Sequence, residues 1–153
     1  MYGGCMNKPE WAQWTKRKLV FAVVPSLELM AARSGNPRAA VLSKTLDQAI
    51  GQYLEDSRSP SAKVIEIDNR GSTYYLALAW AKALAAQTQD ADLKQRFTPL
   101  AAALADSEGT ITKELLAAQG KPVDIGGYYF PDEAKCAAAM RPSATLNAII
   151  DRM

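Results

Sequence analysis

Between Tyr74 and Ala86 the chain reads Tyr-Tyr-Leu-Ala-Leu-Ala-Trp-Ala-Lys-Ala-Leu-Ala-Ala, so a helix built on it is apolar nearly all round. Such a helix has almost no face to offer to water and must be enclosed by neighbours, which its alanines allow to approach closely. The run predicts a buried central helix opened by Gly71-Ser72. With it comes a mainly α, multi-helix domain. The length of 153 residues permits this, because a compact domain of that size buries roughly 70% of the surface its unfolded chain exposes.

The flanking segments supply the neighbours. Asn36-Pro37 pairs a capping side chain with proline at the first helical position. Val41, Leu42, Leu46, Ala49, Ile50, Tyr53 and Leu54 then recur at three and four residues until Ser57-Arg58-Ser59-Pro60 stops the helix. Trp11 to Arg33 is also helical in pattern, with a kink or a break expected at Pro25, which removes a backbone donor. After the central helix, Asp90 and Thr98-Pro99 are read as caps of two successive short helices bearing Leu93, Phe97, Leu100 and Leu104. Ser107 precedes another with Ile111, Leu115 and Ala118 inward and Gly120 at its end. Lys121 to Pro131 should be an ordered irregular loop pinned by Tyr128, Tyr129 and Phe130, and two short helices capped by Asp132 and Ser143 should finish the chain. Val64 to Ile67 is the one strand candidate, so the fold should hold at most one short strand. Residues 1–10 read as a poorly ordered leader, and residues 11–153 as a single helical domain.

Composition excludes several kinds of chemistry. Histidine is absent, which removes the commonest general base and transition-metal ligand. Cys5 and Cys136 stand in no metal-ligand spacing and read as free thiols of a reducing cytoplasm. A formal charge of +2 is too small for a nucleic-acid footprint. The most apolar stretch, Leu19 to Val24, is far too short to span a membrane, so no membrane partner is expected.

Two polar groupings remain as sites. Asp68-Asn69-Arg70-Gly71-Ser72 sets a carboxylate, an amide and a guanidinium beside the free N–H groups of a helix start, where a phosphate or carboxylate would be welcome. The favoured reading is structural: Arg70 pairs with Asp68 or with loop carbonyls while Ser72 caps the helix. Lys121, Asp124 and Arg141 lie in or next to the C-terminal aromatic loop, where a buried ion pair explains an acid and a base as well as catalysis does. Asp47, Glu55, Asp106 and Glu114 fall on polar helix faces and are read as solvated surface.

Gly120-Lys121-Pro122-Val123-Asp124-Ile125-Gly126-Gly127-Tyr128-Tyr129 and Met140-Arg141-Pro142-Ser143-Ala144-Thr145-Leu146-Asn147 are too specific for generic loop. With Asp68 to Ser72 and Leu76 to Ala81 upstream, the chain resembles, from about Trp14 onward, the C-terminal end of the monomeric-type, NADP-dependent isocitrate dehydrogenases of bacteria. The resemblance implies a segment of that enzyme's small domain, on one wall of a cofactor cleft. The complete enzyme would convert isocitrate to 2-oxoglutarate and CO2 with NADP or NAD and magnesium or manganese. It further implies that Gln13, Ala62 and Lys63 line the cofactor site, with Gln13 and Ala62 standing where NADP-specific members place arginines. The family's glycine-rich cofactor loop, metal-binding aspartates and proton-transfer residues have no counterpart here. No catalytic residue and no metal ligand is therefore assigned, and no cofactor should be held tightly by this chain alone. The small-molecule substrate would belong to the complete enzyme, completed by an upstream half as partner. The competing reading is a non-catalytic helical interaction module from a truncated or split gene.

Overall fold

The computed structural model describes residues 22–153. A first helix, α1, runs over residues 22–34 and passes through Pro25 without dividing there. It is followed by α2 (Pro37–Glu55), α3 (Asn69–Ala86), α4 (Ala91–Asp106), α5 (Glu108–Ala117), α6 (Glu133–Met140) and α7 (Ala144–Ile150). No strand occurs among the described residues. The fold is mainly α, and α3 is its centre, packed between α2 and α4.

The helix starts are chemically explicit. The Asn36 side chain accepts from the Arg38 N–H at 3.0 Å with Pro37 in the first turn, and Asp90 accepts from Leu93 at 2.9 Å. Asp132 and Ser143 cap α6 and α7 in the same way. The start of α3 departs from the sequence reading. Asp68, not Ser72, is its cap, accepting from the N–H groups of Arg70 and Gly71 at 2.9 Å each, so the helix begins at Asn69. Ser72 is buried inside the first turn and shares a 2.5 Å hydrogen bond with the Tyr53 hydroxyl, joining α3 to α2.

A core cluster joins three of the helices: Tyr74, Leu78 and Ala81 of α3, Ala101 and Leu104 of α4, and Ile111 and Leu115 of α5. Phe97, Leu100, Leu146 and Ile149 pack against its edge. Tyr74 is buried to its hydroxyl, which donates to the Leu104 carbonyl at 2.7 Å, and burial pushes the phenol far above its ordinary range. On the other side, α2 buries Val41, Leu46, Ala49 and Ile50, while Leu54 at its end stays exposed. Thr45, also buried, donates to the Val41 carbonyl at 2.8 Å and accepts from Trp80 Nε1 at 3.1 Å, so a polar contact registers α2 against α3. The central helix is not enclosed all round: Ala77, Lys82 and Ala86 face solvent. Alanine has little apolar surface to expose, so the cost of leaving it outside is small.

Two further expectations are corrected. Thr98-Pro99 does not start a new helix; α4 is continuous through Pro99. Thr98 and Pro99 lie on the exposed face, where water can take the carbonyl that proline leaves without a donor, while Phe97 and Leu100 hold the helix to the core. Val64 to Ile67 forms a turn instead of a strand, with Ile65 at φ +69°. Without a partner strand its backbone groups bond to the Gln119 side chain, which accepts from the Ile65 N–H at 2.8 Å and donates to the Glu66 carbonyl at 3.0 Å.

Candidate functional site

Two of the three residues that the resemblance implies for a cofactor site, Ala62 and Lys63, fall on the loop between α2 and α3. The Ser61 N–H donates to the Ile67 carbonyl at 2.7 Å and closes this loop at its base. Inside it, the Ser61 hydroxyl donates to the Glu66 carboxylate and accepts from the Lys63 N–H. Together with the Gln119 clamp, these bonds fix the loop from both sides. Ala62 and Lys63 sit at its exposed turn. The Lys63 ammonium lies 3.8 Å from Glu66 Oε1, a solvated pair that restrains it weakly. Gln13 lies outside the described residues.

Ile67, at the inner side of the loop, lines a cavity of about 200 Å³ together with Arg58, Asp68, Tyr75, Thr112 and Gln119. The Thr112 hydroxyl oxygen is buried without a hydrogen-bond partner. Asp56, Arg58 and Tyr75 also line a larger recess of about 460 Å³ between α2 and α3, to which Gln52, Tyr53, Lys82 and Glu108 contribute. The Arg58 guanidinium stacks 4.2 Å from the Tyr75 ring centroid, and the Tyr75 hydroxyl donates to Glu108 at 3.0 Å. Arg58 is thereby held over the Tyr75 ring.

The polar group at the start of α3 takes the structural reading. Arg70 donates to Asp68 at 2.8 Å and to the Ala139 carbonyl at 3.0 Å, tying α3 to the end of α6. Partial burial acts to raise the Asp68 carboxyl, but hydrogen bonds from Gly71 and Arg70 and the Arg70 charge outweigh it and hold the group below its usual range. Two of the N–H groups at this helix start are thus already answered by Asp68.

Of the C-terminal polar residues, Asp124 and Arg141 are tied to neighbouring side chains, and Lys121 is exposed. Asp124 pairs with Lys135, not with Lys121 or Arg141, and the pair is exposed rather than buried. The hydrogen bonds from Lys135 and Gly126 hold the Asp124 carboxyl below its usual range. Arg141 reaches Asp151 at 3.0 Å and Asn147 at 3.1 Å. Asp47, Glu55 and Asp106 are exposed, but Glu114 is not plain surface. Its carboxylate accepts from the Ser143 hydroxyl at 2.6 Å, the Thr145 hydroxyl at 2.8 Å and the Thr145 N–H at 3.2 Å, and so anchors α7. Those bonds, Ser143 first, lower its pKa. Tyr128, Tyr129 and Phe130 do not pin their loop; they stand nearly fully exposed. No group of three or more potential metal ligands gathers among the described residues, and no helix there is long and apolar enough to cross a membrane.

The sequence pattern of the family described as monomeric isocitrate dehydrogenase matches residues 6–151. The isocitrate dehydrogenase [NADP] of Azotobacter vinelandii is 52% identical over 140 residues, covering 92% of this chain and 19% of the relative. Isocitrate dehydrogenase [NADP] 2 of Colwellia maris is 47% identical over 147 residues, 96% of this chain and 20% of the relative. The corresponding protein of Mycobacterium tuberculosis is 48% identical over 139 residues. The chain spans about a fifth of the length of these relatives.

Proposed function

The chain belongs to the monomeric isocitrate dehydrogenase family, and from that premise we propose that it is a C-terminal helical segment of such an enzyme, building part of the cofactor-cleft wall. The observation that carries the reading is the loop between α2 and α3: a turn braced by Gln119 from α5's end, presenting Ala62 and Lys63 to solvent while Ile67 lines a cavity behind it. A braced, exposed turn suits a contact to a cofactor's sugar-phosphate, because its backbone needs no reordering on binding.

Lys63 is the charge this turn offers to a 2′-phosphate. An ammonium meets a phosphate as a point charge, without the two parallel hydrogen bonds of a guanidinium. Ala62 offers no charge at all. A segment of this kind supports NADP poorly and tolerates NAD, unless residues elsewhere in the complete enzyme compensate.

The complete enzyme would transfer a hydride from isocitrate to the nicotinamide and release CO2, with magnesium or manganese stabilising the developing negative charge. The described residues do not fit that metal, since they bring no three ligands together. No step through the metal is assigned to this chain, and its own share is positioning. The free thiol of Cys136 suits a reducing cytoplasm.

The purified chain, incubated with isocitrate, NADP or NAD, and magnesium or manganese, should show no turnover. A clear turnover number would overturn the reading of a scaffold segment. A second reading, a helical interaction module outside catalysis, is favoured by the exposed aromatic residues at 128–130. It is separated from the first by a chimera in which this chain replaces the matched stretch of the Azotobacter vinelandii relative. An active chimera supports the enzyme segment, and a folded but inactive one supports the module.

A further inference from the structure

The loop that follows α5 is built to display its aromatic side chains. The Asp132 N–H donates to the Ile125 carbonyl at 2.7 Å and closes residues 126–131 into a tight excursion. Gly126, at φ +84°, has room for no side chain, because a Cβ there would lie 2.9 Å from the Asp132 Cβ. Asp124 accepts from the Gly126 N–H at 2.8 Å and pairs with Lys135, whose own N–H donates to Asp132 at 2.9 Å. On this braced tip Tyr128, Tyr129 and Phe130 are 87%, 85% and 93% exposed, the two tyrosine rings meeting edge to face at 5.2 Å.

Three consecutive aromatics held out on a fixed loop are not the finish of a free surface. Pre-set aromatic side chains are the usual anchors of protein interfaces. The apolar surface also extends to the root of the loop. Val123 is exposed, and the Val64 side chain lies against Gly120, 3.1 Å from where a Cβ would stand, with exposed Ile65 beside it.

We infer that the loop at residues 120–131 is the docking element that seats this segment on the rest of a family-length polypeptide, with Tyr128, Tyr129 and Phe130 as anchors. The inference rests on the segment reading above. The occupant follows from the coverage of the relatives: the match fills only 19% and 20% of two of them, so most of such a polypeptide lies outside the matched stretch and is available to cover these rings.

The test is hydroxyl-radical footprinting of the isolated chain and of the Azotobacter vinelandii chimera. In the isolated chain the three rings should oxidise freely. In the chimera they should oxidise about tenfold more slowly, since an interface core packs like a protein interior. The combined variant Tyr128→Ser, Tyr129→Ser, Phe130→Ser should leave the melting temperature of the isolated chain unchanged and lower that of the chimera. Equal oxidation in a folded chimera overturns the docking role alone and leaves the segment reading standing. Rings already protected in an isolated chain that sediments as a dimer overturn it in favour of a second copy as occupant. An unmodified chimera that does not fold counts against the segment reading, and the docking role falls with it.

Discussion

Leu78 and Ala77 are consecutive residues of α3, yet one faces the core cluster and the other faces water, so the same substitution should be far more damaging at Leu78 than at Ala77. Leu78 is 4% exposed and packs within the cluster that includes Tyr74, Leu104, Ile111 and Leu115. Truncating it to alanine removes most of that contact and leaves a cavity, at a cost of about 2–5 kcal/mol. At this chain length each kcal/mol moves the melting temperature by about 2–4 °C, so Leu78→Ala should lower it by about 4–20 °C. Leu78→Asp adds an unpaired buried charge worth several kcal/mol, against a typical total stability of about 5–15 kcal/mol, and should unfold the chain. Ala77→Asp should cost less than about 1 kcal/mol, mostly through helix propensity. Circular dichroism melts and urea titrations of the three variants decide the matter. If Leu78→Asp melts with Ala77→Asp, or Leu78→Ala costs nothing, α3 is not the centre of the fold.

Pro99→Ala should stabilise the chain by about 1–3 kcal/mol, because α4 is one helix and alanine restores the missing donor; a neutral or destabilising result in urea titration would instead fit two helices with proline at a favourable first position. Asp68 has a folded pKa below its ordinary value of 3.8, so its contribution to stability is complete above that pH and is lost as pH falls through the folded value. Asp68→Asn should therefore flatten the acid limb of the stability curve below about pH 4, measured by denaturant titration across pH, and an unchanged acid limb would refute the pairing. Glu114→Gln weakens three hydrogen bonds to Ser143 and Thr145 and should speed amide exchange across α7 while leaving α3 protected; unchanged exchange in α7 would show that the carboxylate is not its anchor.

The parts of the fold legible in the sequence are those decided within one helical turn. Asn36, Asp90, Asp132 and Ser143 cap their helices because a short polar side chain reaches an N–H two or three residues ahead, a geometry that spacing alone conveys. The start of α3 is ambiguous at that level, since Asp68, Asn69 and Ser72 can all cap, and it is resolved by Ser72 being drawn inward to Tyr53 across helices. Thr98-Pro99 carries a sound local signal for a helix start, which the packing of Phe97 and Leu100 against the core overrides. Val64 to Ile67 has strand-like composition, but its backbone partner, Gln119, lies more than fifty residues away. No local pattern could announce it. The aromatics at 128–130 suggest a pinned loop only on the assumption that large apolar side chains turn inward within the same chain, and here they do not. Ala62 and Lys63, which the resemblance implies line a cofactor site, lie together on an exposed turn, and no pattern in the local sequence marks them for a cofactor.

The proposed wall of the cofactor cleft is formed by the turn carrying Ala62 and Lys63. It is tested most directly by the ratio of kcat/KM with NADP to that with NAD in the Azotobacter vinelandii chimera, before and after Ala62→Arg and Gln13→Arg. Each restored charge-assisted contact to the 2′-phosphate is worth about 1.5–3 kcal/mol, and about 1.4 kcal/mol is tenfold, so each arginine should raise the ratio by roughly ten- to hundredfold. The unmodified chimera should favour NAD or discriminate weakly. A chimera that strongly prefers NADP from the outset, with a ratio unmoved by either arginine, would place this turn away from the cofactor.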